Sequence, residues 1–444
     1  MQDVPKKLTM ADVKRHFGIE IETCERLAQF GGVRPFLALL KEANIKQRLS
    51  AAVGDDAARV ILQLCLAIIV GAADMEEVER CGKDGAIAPF LGRPLSATRI
   101  PRVLAEMTPS SIEKLHEFIV SLSLLDLATF HKDGGFLDIE ADATAIEMHG
   151  HQEGVEFGYV EKDTVLPCYQ YLLFRLHQTN AFFYGTLRAG SAHSQNGFGD
   201  YLRRFLPIFK ETQWRVRLRL DSGFFSEEVI DEATANKAFV YVKAPMSESR
   251  KAQAMSHSHQ WQEDRKDPRI SWTSYQTVTA KGAIYREVFK RTEVKDDGAL
   301  FSDYRYDSVV TNDMDMSLEF VFTHYNGRAN IENSIKELKY DYKLGCIVTK
   351  SFAVNDVITQ ATLMAHVLIQ HFKRLILDKK DQTIQLATLR WRVLNLPTFV
   401  VRGARRRWYR IRNAFMDGKY FLRMLRRLLT STSFLIRPPD VLSY

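Results

Sequence analysis

Cysteine is scarce and scattered, with five residues at positions 24, 65, 81, 168 and 346 and no Cys-x-x-Cys pair among them. Such spacing supports neither a zinc finger nor a disulfide framework, so a reducing compartment is expected. His149, His151, His257 and His259 come in pairs without a nearby cysteine, which argues against zinc there as well. Long apolar runs are also missing. The longest, Val60 to Ala73, contains Gln63 and is shorter than the roughly 20 residues a membrane helix needs. The opening Met-Gln-Asp-Val-Pro-Lys-Lys has no apolar core of the signal-peptide kind. Repeats and low-complexity tracts are absent, and 46% of the 444 residues are hydrophobic. The expectation is a soluble cytoplasmic protein, folded as on the order of two to four modules.

What is present is an uneven spread of charge. The whole chain carries +7, yet from His371 onward 17 Lys and Arg face four Asp and no Glu, so the remainder is about 6 negative. Arg402, Arg405, Arg406, Arg407, Arg410 and Arg412 interleave with Trp408 and Tyr409, and Arg423, Arg426 and Arg427 recur on a Leu-rich, helix-spaced stretch. Guanidiniums interleaved with aromatic rings suit phosphate contact and base stacking, which points to DNA. RNA or an acidic protein would meet the same charge requirement.

A second concentration of chemistry lies between Tyr325 and Lys339. At about 100° per residue, a continuous helix would bring Tyr325, Arg328, Glu332 and Lys339 within an arc of roughly 60°. Ile331, Ile335 and Leu338 fall on the adjoining arc and can pack on a core. One carboxylate flanked by two cations and a phenol is the chemistry of a site that holds a metal ion and a phosphate together. An ordinary charged helix face looks the same in isolation.

Two further carboxylates sit at strand ends. Trp214 to Leu220 alternates bulky apolar residues with Arg, as a strand does, and Asp221 follows it directly before the breaker Ser222-Gly223. Leu137-Asp-Ile-Glu-Ala-Asp142 closes similarly on an aspartate. Asp138, Glu140 and Asp142 share one strand face, so any of the three could be a ligand, and a solvated face is expected for Asp138 and Glu140. Three carboxylates from distant parts of the chain suit a pair of hard divalent cations. Two such ions about 4 Å apart activate a water or a DNA 3′-hydroxyl for attack on a phosphodiester.

The order Tyr, two residues, Arg, three residues, Glu, six residues, Lys resembles the signature of DDE transposases of the insertion-sequence-four-like group. Arg217-Leu-Arg-Leu-Asp221-Ser-Gly-Phe-Phe225 is similar to the second-aspartate segment of that group. Ala141-Asp142-Ala-Thr144, with His149-Gly-His-Gln-Glu-Gly154 after it, is similar to the first. Leu187-Arg-Ala-Gly-Ser-Ala-His-Ser194 resembles a stretch of the branch numbered thirteen-eighty. The likeness runs from about residue 30 to about residue 430.

The resemblance implies an α/β fold: a ribonuclease H-like catalytic core interrupted by a β-rich insertion, with a helical N-terminal DNA-binding region and a basic helical C-terminal region. It favours Asp142 over Asp138 and Glu140, and assigns Asp142, Asp221 and Glu332 to catalysis and to two Mg²⁺ ions, for which Mn²⁺ can substitute. Arg328 and Lys339 then neutralise phosphate, and Tyr325 either positions the DNA backbone or packs as a half-buried ring. Arg405, Arg406 and Arg407 are the DNA contacts expected at the C-terminal end. Members are taken to cut through a hairpin on the transposon end, which requires a flipped base. Trp272 or Trp261 would stack on it, although either could equally be a core residue.

The implied partners are double-stranded DNA, both terminal inverted repeats and target, and a second copy of the chain in a homodimer. The setting implied is bacterial cytoplasm, at the nucleoid. Two alternatives stay open: a related DNA nuclease without strand transfer, and an inactive transposase-derived DNA-binding protein.

Along the chain this gives five parts. Residues 1–115 form a helical region that binds DNA ends, in which Leu95 to Leu104 resembles the entry of a helix-turn-helix. Residues 116–240 and 318–378 form the two parts of the core. Residues 241–317 form the insertion, and 379–444 the basic C-terminal helical region. Asp221 and Glu332 are 111 residues apart, long for a strand-to-helix connection, so a module of its own is expected between them. Phe239–Val242, Ser271–Val278, Ala283–Lys290 and Tyr304–Thr311 read as its strands, and Lys251 to Asp267 as a polar loop.

Overall fold

A short strand, Leu27–Ala28 (β1), leads into a helical segment made of Arg34–Glu42 (α1), Ile45–Val53 (α2), Asp55–Val70 (α3), Met75–Gly82 (α4), Arg99–Ala105 (α5) and Pro109–Phe130 (α6). The structure is a computed structural model and describes residues 27–130, 135–161, 163–210, 213–256, 260–294, 303–402, 407–411 and 418–430. Asp55 and Asp56 occupy the first turn of α3, where the helix dipole favours carboxylates. Gly71 ends that helix at φ 114°, a conformation open to glycine. Helix α3 is buried on nearly every side, and Ile100 and Leu104 of α5 join the same core.

The sheet follows. Its strands are Gly135–Glu147 (β2), Glu156–Glu161 (β3), Thr164–Leu176 (β4), Ala181–Ala189 (β5), Trp214–Leu220 (β6), Phe239–Lys243 (β7), Gln262–Glu263 (β8), Ile270–Val278 (β9), Ile284–Val294 (β10) and Asp303–Thr311 (β11). They form one ten-stranded mixed sheet in the order β3-β4-β2-β6-β7-β11-β10-β9-β8, with β5 also pairing β4. Strand β6 runs parallel to β2 and β7, and the remaining pairs are antiparallel.

Each face of the sheet has its own cover. Phe198–Lys210 (α7) and Glu227–Ala235 (α8) bury Phe205, Phe209 and Ile230 against Leu137, Ile139, Ala141, Leu218 and Leu220. Glu248–Ser256 (α9) follows β7. Leu318–Asn326 (α10), Asn330–Tyr340 (α11) and Phe352–Ile376 (α12) lie toward the other face, where Ile331, Ile335 and Leu338 share a core with Tyr169, Tyr171 and Leu173. Helix α12 is long and apolar enough to cross a membrane, but 83% of its apolar window is buried in the protein, much of it against β5 and α3.

The chain ends on Thr398–Arg402 (β12), Arg407–Ile411 (β13) and Gly418–Thr430 (α13). Strands β12 and β13 pair with each other, and β12 with β1, in a separate three-stranded sheet.

Three expectations are corrected here. The strands between residues 241 and 317 extend the sheet of β2 and β6 instead of forming a module of their own. Strand β11 pairs with β7 through Val309, Val310 and Thr311, so the backbone edge that β7 would otherwise expose is hydrogen-bonded. The C-terminal region is not wholly helical. Phe399-Val-Val401 and Trp408-Tyr409 are β-formers, and their hairpin closes the helical segment by pairing with Leu27 and Ala28. The first part of the polar stretch from Lys251 is helix α9, not loop, while 257–259, with His257 and His259, lie outside the described residues.

Candidate active site

Strands β2 and β6 carry a ladder of charge. Their parallel register sets Asp138 beside Arg217 and Glu140 beside Arg219. Arg217 Nε donates to Asp138 Oδ1 at 2.9 Å, and Arg219 Nη2 donates to Glu140 Oε1 at 2.5 Å. The alternation puts Leu137, Ile139 and Ala141, with Val216, Leu218 and Leu220, on the opposite, apolar face. The last paired rung is Ala141 with Leu220, and Asp142 and Asp221 directly follow it on the two segments. Past that rung, acid beside base gives way to two acids.

The expected solvated face at Asp138 and Glu140 is therefore overturned. Asp138 is 8% exposed and Glu140 0%, because the arginines on the neighbouring strand cover and neutralise them. Both carboxylates are held inside the protein by these ion pairs, whereas the Asp142 side chain keeps 18% exposure.

The segment from Tyr325 to Lys339 is not one continuous helix. Tyr325 lies in the last turn of α10, which ends at Asn326, Gly327–Ala329 is a tight 3₁₀ turn, and α11 starts at Asn330. A β-carbon on Gly327 would stand 2.4 Å from Arg219 Nη1, so the break lies where buried arginine and backbone come close. The turn sends Arg328 over the two aspartates. Its Nη2 is 3.1 Å from Asp142 Oδ1 and 3.9 Å from Asp221 Oδ2. Glu332 sits exposed in the first turn of α11, where the helix dipole favours a carboxylate.

The electrostatics follow from this crowding. Burial, helped by the charges of Asp221 and Glu332, pushes the Asp142 carboxyl up to about 6 against the opposing pull of Arg328. Burial and the Asp221 charge raise the Tyr325 phenol to about 12, with Arg328 acting the other way. Tyr325 is thus both a half-buried packing ring and a neighbour of the carboxylates. Lys339 Nζ donates to the Ala145 carbonyl at 2.8 Å, and burial lowers its pKa despite the nearby Glu161 and Asp142 charges.

With the side chains placed as they are, no three His, Cys, Asp or Glu among the described residues group closely enough to hold a metal ion. The chemistry of the donors nonetheless fits one. Asp142, Asp221 and Glu332 offer only oxygen, the charges of Asp221 and Glu332 oppose ionisation of Asp142, and a single guanidinium lies by two of the three.

Trp272 packs in the cluster that includes Phe322 and borders Tyr325. It is 8% exposed, its Nε1 donates to Asp264 Oδ2 at 3.0 Å, and its ring packs 5.1 Å from that of Phe322. The Trp261 ring lies 4.4 Å from the Arg291 guanidinium and edge-on to the Tyr306 ring. Arg405 and Arg406 lie outside the described residues, and Arg407 begins β13.

Two features had escaped sequence reasoning. Arg175 sits beneath the site and binds Glu140, and only the alternation of β4 hinted that it faces inward. A cleft of about 250 Å³ opens beside Tyr325, lined by Lys243, Lys290, Arg305, Asp307 and Phe322. Its three basic residues come from β7, β10 and β11, and the pairing of β11 with both of the others brings them together.

Comparison with known proteins gives three results. Among curated proteins no match was found. One similar solved structure is a cryo-EM structure of the piggyBac transposase synaptic complex with hairpin DNA, at 11% identity and a TM-score of 0.41, covering 94% of this chain and 89% of that one. Residues 27–433 match the family described as Transposase DDE domain, group 1, and the chain belongs to that family, a family of transposases, enzymes that act on DNA.

Proposed function

We propose that this transposase cuts its element out at terminal inverted repeats and joins the freed 3′ ends to target DNA, and that it belongs to the insertion-sequence-four-like group, near the thirteen-eighty branch. The observation that carries the site assignment is the break in the charge ladder, where Asp142 meets Asp221 and Arg328 lies over both. A ribonuclease H-like core is supported by the strand order β5-β4-β2-β6-β7, in which two antiparallel strands precede three parallel ones.

DDE transposases generally use divalent metal ions. Asp142, Asp221 and Glu332 would hold them, Mg²⁺ with Mn²⁺ as a substitute, and the ions would supply Lewis-acid polarisation of phosphate and activation of a water or 3′-hydroxyl. The protein's own groups bind and orient. Arg328 offers a planar, permanently charged fork to a phosphate once it leaves the aspartates. Lys339 adds a second cation on the same cleft, and the Tyr325 hydroxyl remains protonated and able to donate at neutral pH. Lys243, Lys290 and Arg305 continue the positive surface away from Tyr325, a path for the DNA backbone.

The finer steps belong to the same proposal: a hairpin intermediate on the transposon end, a homodimer pairing two ends, and action at the nucleoid in bacterial cytoplasm. The test is cleavage of a labelled DNA carrying the element's inverted repeat, with Mg²⁺ or EDTA. Wild type is compared with Asp142→Ala, Asp221→Ala and Glu332→Ala. Metal-dependent nicking and joining by wild type, lost in all three variants while DNA binding persists, is the expected result. Nicking without joining would make the protein a nuclease, and binding without cutting a DNA-binding derivative.

A further inference from the structure

We infer that Glu140 is a positioning residue for this reaction, a buried carboxylate that holds the elements bearing Asp142, Asp221, Arg328 and Glu332 in fixed relation. The inference rests on the assignment of the site given above. Glu140 is 0% exposed and lies two residues before Asp142 on the same face of β2, so it reaches neither solvent nor DNA.

Its two oxygens gather two arginines. Oε2 accepts from Arg175 Nε at 2.7 Å and also from Arg175 Nη2. Oε1 accepts from Arg219 Nη2 at 2.5 Å, with His177 Nδ1 3.3 Å away. Burial alone would raise this carboxyl, but His177, Arg175 and Arg219 hold it below the usual carboxylate range.

Each arginine then turns its remaining donors to a different part of the site. Arg175 Nη1 donates to Ser334 Oγ at 2.6 Å and to Asn180 Oδ1 at 2.7 Å, and the Ser334 hydroxyl donates to Asn180 Oδ1 at 2.9 Å. Ser334 is two residues beyond Glu332 on α11. Arg219 is two residues before Asp221, and its Nη1 donates to the carbonyl of His324, the residue before Tyr325, at 3.3 Å. The same nitrogen occupies the space that a side chain on Gly327 would need, directly before Arg328. One carboxylate thus links β2, β4, β6, α10 and α11 by directional bonds. A dry apolar core could join these elements as firmly, but it would not fix their separations bond by bond. Reacting groups displaced by about 1 Å can lose on the order of 10²-fold in rate.

The experiment compares wild type with Glu140→Gln, and with Ser334→Ala and Ser334→Thr, which cut or keep only the link to α11. Glu140→Gln can fail to fold because it leaves two buried arginines under-neutralised, so the serine pair keeps the inference testable. Three quantities are read: single-turnover nicking of inverted-repeat DNA, affinity for that DNA, and Mn²⁺ binding to the full-length protein by electron paramagnetic resonance.

For Ser334→Ala the expected result is nicking slowed by about tenfold or more and Mn²⁺ bound more weakly, with DNA affinity and Tm near wild type and recovery in Ser334→Thr. A folded Glu140→Gln should show the same split, more strongly. Unchanged nicking and Mn²⁺ binding in Ser334→Ala would overturn the inference, as would parallel losses in stability, DNA affinity and rate. Wild type that neither nicks nor binds Mn²⁺ would instead overturn the site assignment on which the inference stands.

Discussion

Arg328 Nη2 lies 3.1 Å from Asp142 Oδ1 and 3.9 Å from Asp221 Oδ2, so one guanidinium faces both aspartates just past the last paired rung of β2 and β6. Without it, two carboxylates would face each other across adjacent strands with Glu332 close by. The guanidinium occupies the side of Asp142 on which positive charge is wanted, and the phosphate of a DNA substrate would draw it away.

Arg328→Ala should therefore separate two properties. Mn²⁺ binding to the DNA-free protein, measured by titration calorimetry, should stay the same or tighten, since a competing cation is gone. Nicking of inverted-repeat DNA should fall by about 10²-fold to 10³-fold, the usual cost of removing a group that stabilises charge on the transferring phosphate. Loss of Mn²⁺ binding would show that Arg328 organises the carboxylates and does not compete for them.

The raised Asp142 carboxyl predicts a pH-dependent stability cost. Its folded value, about 6, lies above the ordinary 3.8, so the folded chain holds this proton more tightly than the unfolded chain. Stability from this group is fully present below about pH 4 and is lost as pH rises through about 6. In EDTA, Asp142→Asn should exceed wild type in stability at pH 7 by on the order of 2 kcal/mol, with the difference vanishing near pH 4. Urea unfolding at the two pH values checks this, and a wild type more stable than the variant at pH 7 would contradict it.

Gly327→Ala should be costly even though φ at Gly327, −58°, suits any residue. The added methyl would stand 2.4 Å from Arg219 Nη1, so either the guanidinium leaves Glu140 or the turn carrying Arg328 shifts. A loss of about 1–3 kcal/mol is expected, of the size seen when a packed interior is overfilled. Nicking should fall with it. Chemical denaturation beside a nicking assay gives both numbers, and wild-type values for both would mean that Arg219 has room to move.

Trp272→Ala should act through packing. The ring is buried on Phe322 and its Nε1 is held by Asp264, so removing it should cost about 3–5 kcal/mol and lower every activity together. Trp272→Phe should recover much of the stability. A stable Trp272→Ala that nicks normally but forms hairpins slowly would show that the ring stacks on a flipped base after all.

The sequence by itself determined where strands run and which residue types lie at their ends. The strand pattern of Trp214 to Leu220, closed by Asp221, was legible because it is local, set by the period of two in a strand, whereas the choice of Asp142 over Asp138 and Glu140 came from the family resemblance and the single helix expected from Tyr325 to Lys339 is broken at Gly327. The strands of the 241–317 stretch were legible for the same reason. What only the tertiary structure decided is who neutralises whom. Glu140 and Asp142 are both acids on one strand face, and nothing within β2 says that one will meet Arg219 and the other Asp221. That follows from the parallel register with β6, a partner about 80 residues away. Nor does the sequence show how little room Gly327 has, since what crowds it is the Arg219 guanidinium brought in from β6. Local spacing specifies side-chain type and face, whereas long-range pairing specifies the electric field around each side chain, and the roles of these carboxylates depend on that field.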